Sequence, residues 1–521
     1  MTTSKDVHLF LLIHGLWAAR TELEAAWAAS LGDDSAAQTP PDNGSPLITP
    51  AHSPDAEPTN PFTHTHSFMP QAPASAGEEL VVVVAEGMTS QLTYDGIDVC
   101  ASRVAWEVDQ HVARLEADGR RVAKFSVMGY SLGGLVARYL VGLLNARSPS
   151  FFNKHAPVSF TTIATPHLGI PRYNTFLSVC VTFLGSKLLS RSGNQIHVVD
   201  KYSKEDPRPV LEIMADPKQV FHKGLAKFDG VHIYASVVND ATVPYPSAAI
   251  ETSDHFAQWA ERGLKVAADE AGIVSDWYYP VSDKKLKKKW AHKMGTLPPT
   301  LRFRWPLNYI ILALFPLLVP LLFILIVLRF SLDTTRSRLR LQGLARTGTP
   351  HNAEHKLGAD IVSPIPSPNG MGIDALRNAI RAVERNLEQD LIQAAEYDFG
   401  LGDTSSAAIK TIYKPGKHQY AMSSSEDSSY EDDDADTAPL LPLQPTVLAR
   451  LTDPQLRMAY YLNQLQPIKH LAWFPDVANS HAVIIVRDPG RFPVHERGRG
   501  VLKHWARVVT HAAVQAQGTT H

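Results

Sequence analysis

The chain has 521 residues, 44% hydrophobic and 20% charged, with 50 basic residues against 52 acidic ones. That composition excludes a wholly disordered or fibrous chain, and a basic excess fit for general nucleic-acid binding is missing. Two cysteines, Cys100 and Cys180, are too few for a disulfide framework or a cysteine-built metal site.

The first element is the apolar run Val7 to Ile13. Only Lys5 precedes it as a basic residue and His14-Gly15 follows, so it reads as a buried strand on the cytosolic side and not as a signal peptide. Residues 31–78 hold nine prolines among polar residues and read as a disordered insertion, because they cannot bury enough apolar area to offset their ordering entropy. Four further short apolar runs rich in β-branched residues predict strands: Leu80–Ala85, Lys124–Met128, Val158–Ile163 and Val231–Val238. Helical spacing over Val104–Leu115 and Leu132–Leu144 alternates with them, which predicts an α/β fold with a mostly parallel sheet covered on both faces. The stretch from Leu168 to Phe228 suits either an acyl groove or lid, or ordinary core packing.

Leu307 to Leu328 is 22 residues without a charge, long enough to span a bilayer as a transmembrane helix. Its flanks are basic on both sides, with Lys284–Lys289 before and Arg329 to Arg340 after, which suits two ends on one side of a membrane. Pro316 and Pro320 each remove a helical hydrogen bond near its middle, so a shallow hairpin is the alternative to a spanning helix. Ile373, Leu376, Ile380, Val383, Leu387 and Leu391 form one apolar stripe, predicting an amphipathic helix over 371–399. Residues 403–446 are serine-rich and acidic and read as a disordered linker, with phosphorylation as the functional alternative. A last strand is expected at His470–Phe474.

The chemistry concentrates at Gly129-Tyr130-Ser131-Leu132-Gly133. This G-x-S-x-G pattern sits between a predicted strand and a predicted helix, as a nucleophile elbow requires. Side chains at Gly129 or Gly133 would collide with neighbouring backbone where the chain turns sharply, so Ser131 is the candidate nucleophile and the two glycines its elbow. His14-Gly15-Leu16 after the first strand can supply one oxyanion amide, from Leu16, and Leu132 the other; a plain strand-ending turn is the bland reading of the first loop. Asp240 directly follows a late strand, where a triad acid stands; a turn-capping aspartate is the alternative. The base must follow the acid in chain order, which leaves His481 and His255, and placement after the last strand favours His481.

Together, His14-Gly15-Leu16, Gly129 to Leu135, Thr165-Pro166-His167-Leu168-Gly169, Asn239 to Tyr245 and Ser480 to Arg487 resemble the fungal serine esterases, a group that includes lipid-droplet phospholipases and monoacylglycerol lipases of yeasts. The resemblance covers about residues 5–30, 79–280 and 450–505. It implies the α/β-hydrolase fold and a triad of Ser131, Asp240 and His481. It also implies hydrolysis of glycerolipid acyl esters at a membrane or lipid-droplet monolayer, on the cytosolic face of the endoplasmic reticulum or droplet. No cofactor, metal, nucleic acid or protein partner is expected. A catalytically silent hydrolase-fold membrane tether and an acyltransferase or protein thioesterase are the rival readings.

Length alone points to three or four domains. The expected organisation is instead one interrupted hydrolase core. Its first part is 5–280, followed by a basic-flanked membrane segment (281–345), a linker (346–402), the acidic linker (403–446) and the last part of the core (447–515), which carries His481. Ser131 and Asp240 precede the apolar run and His481 follows it. A single crossing would part them, since a triad needs contacts of about 3 Å.

Overall fold

The computed structural model describes residues 5–15, 79–88, 90–171, 190–279, 331–332, 334–342, 447–448 and 451–515. Leu16, the Pro-rich stretch 31–78, most of the 168–189 region, the apolar run 307–328, the stripe at 371–399 and the acidic stretch 403–446 lie outside them. Among the described residues, no helix is long and apolar enough to cross a membrane.

Among the described residues there are ten strands: β1 (Lys5–Ile13), β2 (Glu79–Val84), β3 (Arg120–Tyr130), β4 (Ala156–Ile163), β5 (Gly230–Ser236), β6 (Ser253–Asp254), β7 (Lys265–Ala268), β8 (Val274–Tyr278), β9 (Val447–Leu448) and β10 (Ile468–Ala472). Six of them make one sheet in the order β10-β5-β4-β3-β1-β2, and every pairing in it is parallel. β6 with β9 and β7 with β8 form two small antiparallel ladders. The protein is therefore an α/β fold with a mostly parallel central sheet.

β1 shows why the sheet is covered on both faces. Val7, Leu9, Leu11 and Ile13 join one apolar cluster with the helices α1 (Ile97–Ala117) and α2 (Leu132–Asn145). Phe10 and Leu12 point the other way, into a second cluster with Trp505 of helix α6 (Arg499–Gln515). Successive side chains alternate between faces, and both faces are buried, so from Val7 to Ile13 the strand reads as an apolar run broken only by His8.

Several elements extend beyond their expected limits. β3 begins at Arg120, where Arg121 pairs with Asp6 of β1 and Arg120 with Glu79 of β2, so charged residues extend the parallel ladder at its solvent end. α1 begins at Ile97, after Gly96 with φ 110°, seven residues before the apolar spacing becomes visible. Strand pairing stops at Ser236 rather than Val238, because Val237 to Asp240 leave the sheet to form a loop. The last strand is shifted to Ile468–Ala472, with Trp473 and Phe474 beyond its end. In the second half of the 168–228 stretch, Leu211, Ile213, Met214, Phe221 and Leu225 are buried in the main cluster, so that half is core.

The strand order reverses around β1, whose neighbours are β2 on one side and β3 on the other. Such a switch point opens a crevice at the carboxyl ends of the strands. Gly15 follows β1 and Ser131 follows β3, so both stand at its rim.

Several buried histidines are held neutral. His8 is 2% exposed within β1, hydrogen-bonded to Ser126 Oγ at 2.8 Å, and burial pushes its pKa down to about 3. At the β5–β10 edge His470 stacks on Tyr234 at 4.4 Å between ring centroids, contacts His232 at 3.2 Å, and is pushed down to about 3 by burial and by His232 and His504. Lys124 faces His8, and Asp269 and Arg507 face His504. An imidazole whose folded pKa lies below its unfolded value binds protons more readily in the unfolded chain, so its contribution is complete above pH 6.5 and is lost as pH falls toward 3. We expect thermal melts to show stability falling from pH 7 to pH 5, by up to about 1.4 kcal/mol per pH unit for a fully buried group such as His8. His470→Phe, which keeps a ring on Tyr234, reduces that slope.

Candidate active site

At the end of β3 the chain turns into α2 with no room to spare. Ser131 holds φ 55° and ψ −124°, a strained conformation for a residue with a side chain. Its amide donates to Ile163 O of β4 at 2.9 Å, which anchors the turn to the sheet. A Cβ at Gly129 would meet the backbone of Gly134 and lie 2.5 Å from Gly133 O. A Cβ at Gly133 would strike the carbonyl oxygens of Ile13 and His14, and one at Gly134 would strike Thr165. These glycines let α2 approach the ends of β1 and β4 closely enough to raise Ser131 above the sheet.

His481 reaches the same place from the C-terminal part of the chain. Its Nε2 lies 3.1 Å from Ser131 Oγ, and its Nδ1 lies 2.9 Å from Asp240 Oδ2. A carboxylate only accepts, so the proton sits on Nδ1 and donates to Asp240, leaving Nε2 to accept from the serine hydroxyl. The His481 and Asp240 side chains are 5% and 2% exposed, and Ser131 is 9% exposed. Asp240 Oδ1 accepts the amides of Thr242 at 2.9 Å and Val243 at 2.7 Å, which fixes the carboxylate plane. The structure thus brings Ser131, Asp240 and His481 into one hydrogen-bonded chain. His255 does not join it; its ring packs against Trp277 and its carbonyl accepts from Tyr279.

Two loops from distant parts of the chain hold this geometry. Asn239 adopts φ 61°, which asparagine tolerates, and its side chain donates to Phe474 O at 2.9 Å and Pro475 O at 3.2 Å. Its carbonyl accepts from Ser480 N, and Ser480 Oγ donates to Val238 O at 2.8 Å. Asn479 Oδ1 accepts both His481 N at 3.1 Å and Ala241 N at 3.3 Å. Tyr130, the residue before the serine, donates from its hydroxyl to His481 O at 3.0 Å, with its ring 5.1 Å from the imidazole. Tyr130 and Asn479 are positioning residues that sequence reading did not single out. A Tyr inside an elbow and an Asn two residues before a His carry no chemical signal of their own.

Leu132 opens α2, so its amide is one of the helix's first four without an intrahelical acceptor, at the positive end of the helix dipole. Across the turn, a Cβ at Gly15 would lie 2.9 Å from Ser131 Cβ, so the loop after β1 faces the serine. His14 is fully buried beside it, kept below its ordinary pKa by desolvation, with Nδ1–H donating to Gly15 O at 3.0 Å. The Thr165–Gly169 loop is clamped behind the elbow. Buried Arg138 of α2 donates to His167 O at 3.1 Å, and desolvation lowers its pKa to about 9. Gln455 donates to Leu168 O at 2.8 Å and Ser247 to Gly169 O at 2.6 Å. Among the described residues no group of three His, Cys, Asp or Glu side chains is arranged to hold a metal ion. Cys100 is buried, with its thiol pushed up to about 12, so it is not a competing nucleophile.

A serine at a strained strand–helix turn, joined through a histidine to a buried carboxylate, has the geometry that nucleophilic catalysis by a serine requires. Residues 63–254 match the family described as "Putative serine esterase (DUF676)". The chain is similar to the Schizosaccharomyces pombe protein named "Putative lipase C4A8.10", 30% identical over 135 residues, covering 26% of this chain and 17% of the relative. It is also similar to two Saccharomyces cerevisiae proteins. "Putative lipase ROG1" is 25% identical over 215 residues, 40% of this chain and 29% of the relative. "Putative lipase YDR444W" is 30% identical over 171 residues, 30% of this chain and 24% of the relative. The matched part spans less than a third of each of these relatives. The family match holds Ser131 and Asp240 but ends well before His481.

Two substitutions test the packing. Gly133→Ala drives a methyl into two backbone carbonyls that cannot swing aside, so we expect loss of fluorophosphonate labelling at Ser131. Tyr130→Phe removes one buried hydrogen bond, about 1 kcal/mol of stability. With the His481 loop loosened, kcat falls roughly fivefold at unchanged KM, as steady-state kinetics on a soluble ester would read.

Proposed function

We propose that the protein is a serine esterase of the α/β-hydrolase fold that hydrolyses acyl ester bonds of glycerolipids, phospholipid or monoacylglycerol, at a membrane or lipid-droplet surface. The observation that carries the reading is the unbroken Asp240–His481–Ser131 hydrogen-bond chain at a serine held in a strained turn. The chain order, with the serine after the third strand of the sheet and acid and base on loops after the fifth and sixth, supports the α/β-hydrolase reading.

In this reading Ser131 Oγ attacks the acyl carbonyl while His481 Nε2 takes its proton. Asp240 keeps the imidazole in the Nδ1–H tautomer and stabilises the imidazolium that forms. The Leu132 amide, with the Leu16 amide as the expected second donor, faces the developing oxyanion. One such donor is worth about 3 kcal/mol in the transition state. The imidazolium then protonates the departing alcohol, and a water activated by His481 releases the fatty acid and restores Ser131.

The lipid half of the proposal rests on the apolar run at 307–328 and on relatives named as lipases. The described residues on either side of that run belong to one folded body. β10 pairs with β5, and Arg340 makes an ion pair with Asp95. A run that leaves this body and rejoins it returns to the side it left, which favours a hairpin in one leaflet over a single crossing and suits a droplet monolayer or the cytosolic face of the endoplasmic reticulum.

Purified protein incubated with mixed glycerolipid vesicles should release fatty acid detectable by mass spectrometry. Ser131→Ala should lower the rate by on the order of 10⁶-fold and Asp240→Asn by about 10⁴-fold. A fluorophosphonate probe should label the wild type and not Ser131→Ala. Absence of any label would favour a silent tether, and acyl transfer to a second lipid or a protein in place of water would favour a transferase or thioesterase.

A further inference from the structure

Three residues after the apolar run stands a helix whose buried face is polar and whose exposed face sets two leucines among polar and basic residues. Residues 331, 332 and 334–342 are helical. Thr334 and Ser337, 6% and 0% exposed, face the body, and Ser337 Oγ lies 3.3 Å from Ser190 Oγ at the start of helix α3 (Ser190–Ile196). Arg340 continues this inner stripe by one turn. It donates from Nη2 to Asp95 Oδ1 at 2.8 Å and from Nε to Asp95 Oδ2 at 3.0 Å. Asp95 is fully buried and also accepts from Arg103 at 2.7 Å. A buried carboxylate gripped by two guanidiniums is costly to break, so the helix is fixed to the body 245 residues away in sequence.

The opposite face mixes exposed leucines with basic and polar side chains. Leu332 and Leu339, 50% and 49% exposed, lie seven residues apart on it with Arg336 between them, and Arg338 flanks it, exposed. Spacing of four and seven residues puts both leucines on one helical stripe. Leucines set among arginines, on a helix joined directly to 22 uncharged residues, match an interface of acyl chains beneath anionic headgroups.

We infer that this helix is a membrane-docking face for an anionic phospholipid surface. It is held rigid by the Asp95–Arg340 clamp, so that the serine site meets the lipid in a fixed orientation. The inference rests on the lipid-ester reading above for its purpose, but its test does not. In full-length protein carrying Cys180→Ser, a bimane probe is placed at Thr335→Cys on the outer face; Cys100 is buried and does not compete. Vesicles of phosphatidylcholine with brominated phosphatidylserine should quench the probe. Leu332→Ser with Leu339→Ser, both on solvent-facing positions, should weaken that quenching by about tenfold in lipid concentration with the body's melting unchanged, and Arg340→Gln, which takes one guanidinium from buried Asp95, should weaken it while lowering the melting temperature. Four outcomes overturn the inference: no quenching while the protein floats with vesicles, no flotation, equal quenching by neutral brominated phosphatidylcholine vesicles, or a probe already shielded from iodide without vesicles. The Ser131→Ala variant should be quenched like the wild type. If the wild type hydrolyses no ester yet is quenched, the esterase reading fails and the docking face stands.

Discussion

The closeness of α2 to the end of β1 governs the rest of this molecule. Gly133 lies directly on the carbonyls of Ile13 and His14, and Gly134 on Thr165, so the helix starts within the van der Waals boundary of two neighbouring strands. Only that approach lets Ser131 take φ 55° at the top of the sheet with the Leu132 amide beside it. Strain of this kind persists when the surroundings over-determine it. Here Ile163 O, the Thr165–Gly169 loop and buried Arg138 all fasten the elbow from behind. Among the described residues Arg138 has no carboxylate partner, and desolvation lowers its pKa.

A second set of contacts meets the elbow from the other end of the chain. The Asp240 and His481 loops are stitched by Asn239, Asn479 and Ser480, almost entirely through backbone groups. Tyr130 ties the elbow to the histidine loop. The imidazole is therefore held from four directions, and it does not need the substrate to assemble the site. The long insertions between Asp240 and His481 leave this arrangement intact because loop-closure entropy grows only slowly with length. The insertion also re-contacts the body at Arg340, where a buried carboxylate receives it.

Much of this was readable along the chain. β1 shows as an apolar run because both sheet faces are dry, and Ser131 shows because glycines at 129 and 133 have a steric cause. Asp240 was visible as the residue leaving a late strand, and placement after the expected last strand preferred His481 to His255. Other features carry no local signature. Tyr130 and Asn479 act through single hydrogen bonds that depend on where a distant loop lies. The start of α1 at Ile97 is set by Gly96 and by tertiary contacts such as Gln195 to the Ile97 amide, not by apolar spacing.

By itself the sequence determined the α/β alternation, the elbow and the order of the candidate nucleophile, acid and base, because periodicity, steric need for glycine and chain order are local or one-dimensional properties. Tertiary structure decided which histidine meets the serine. It also decided that the segments before and after the apolar run share one sheet, and that the helix at 331–342 turns its leucines outward. Those are properties of pairs of residues hundreds of positions apart, such as Tyr130 with His481 and Asp95 with Arg340, and only the packed sheet brings them within hydrogen-bond distance.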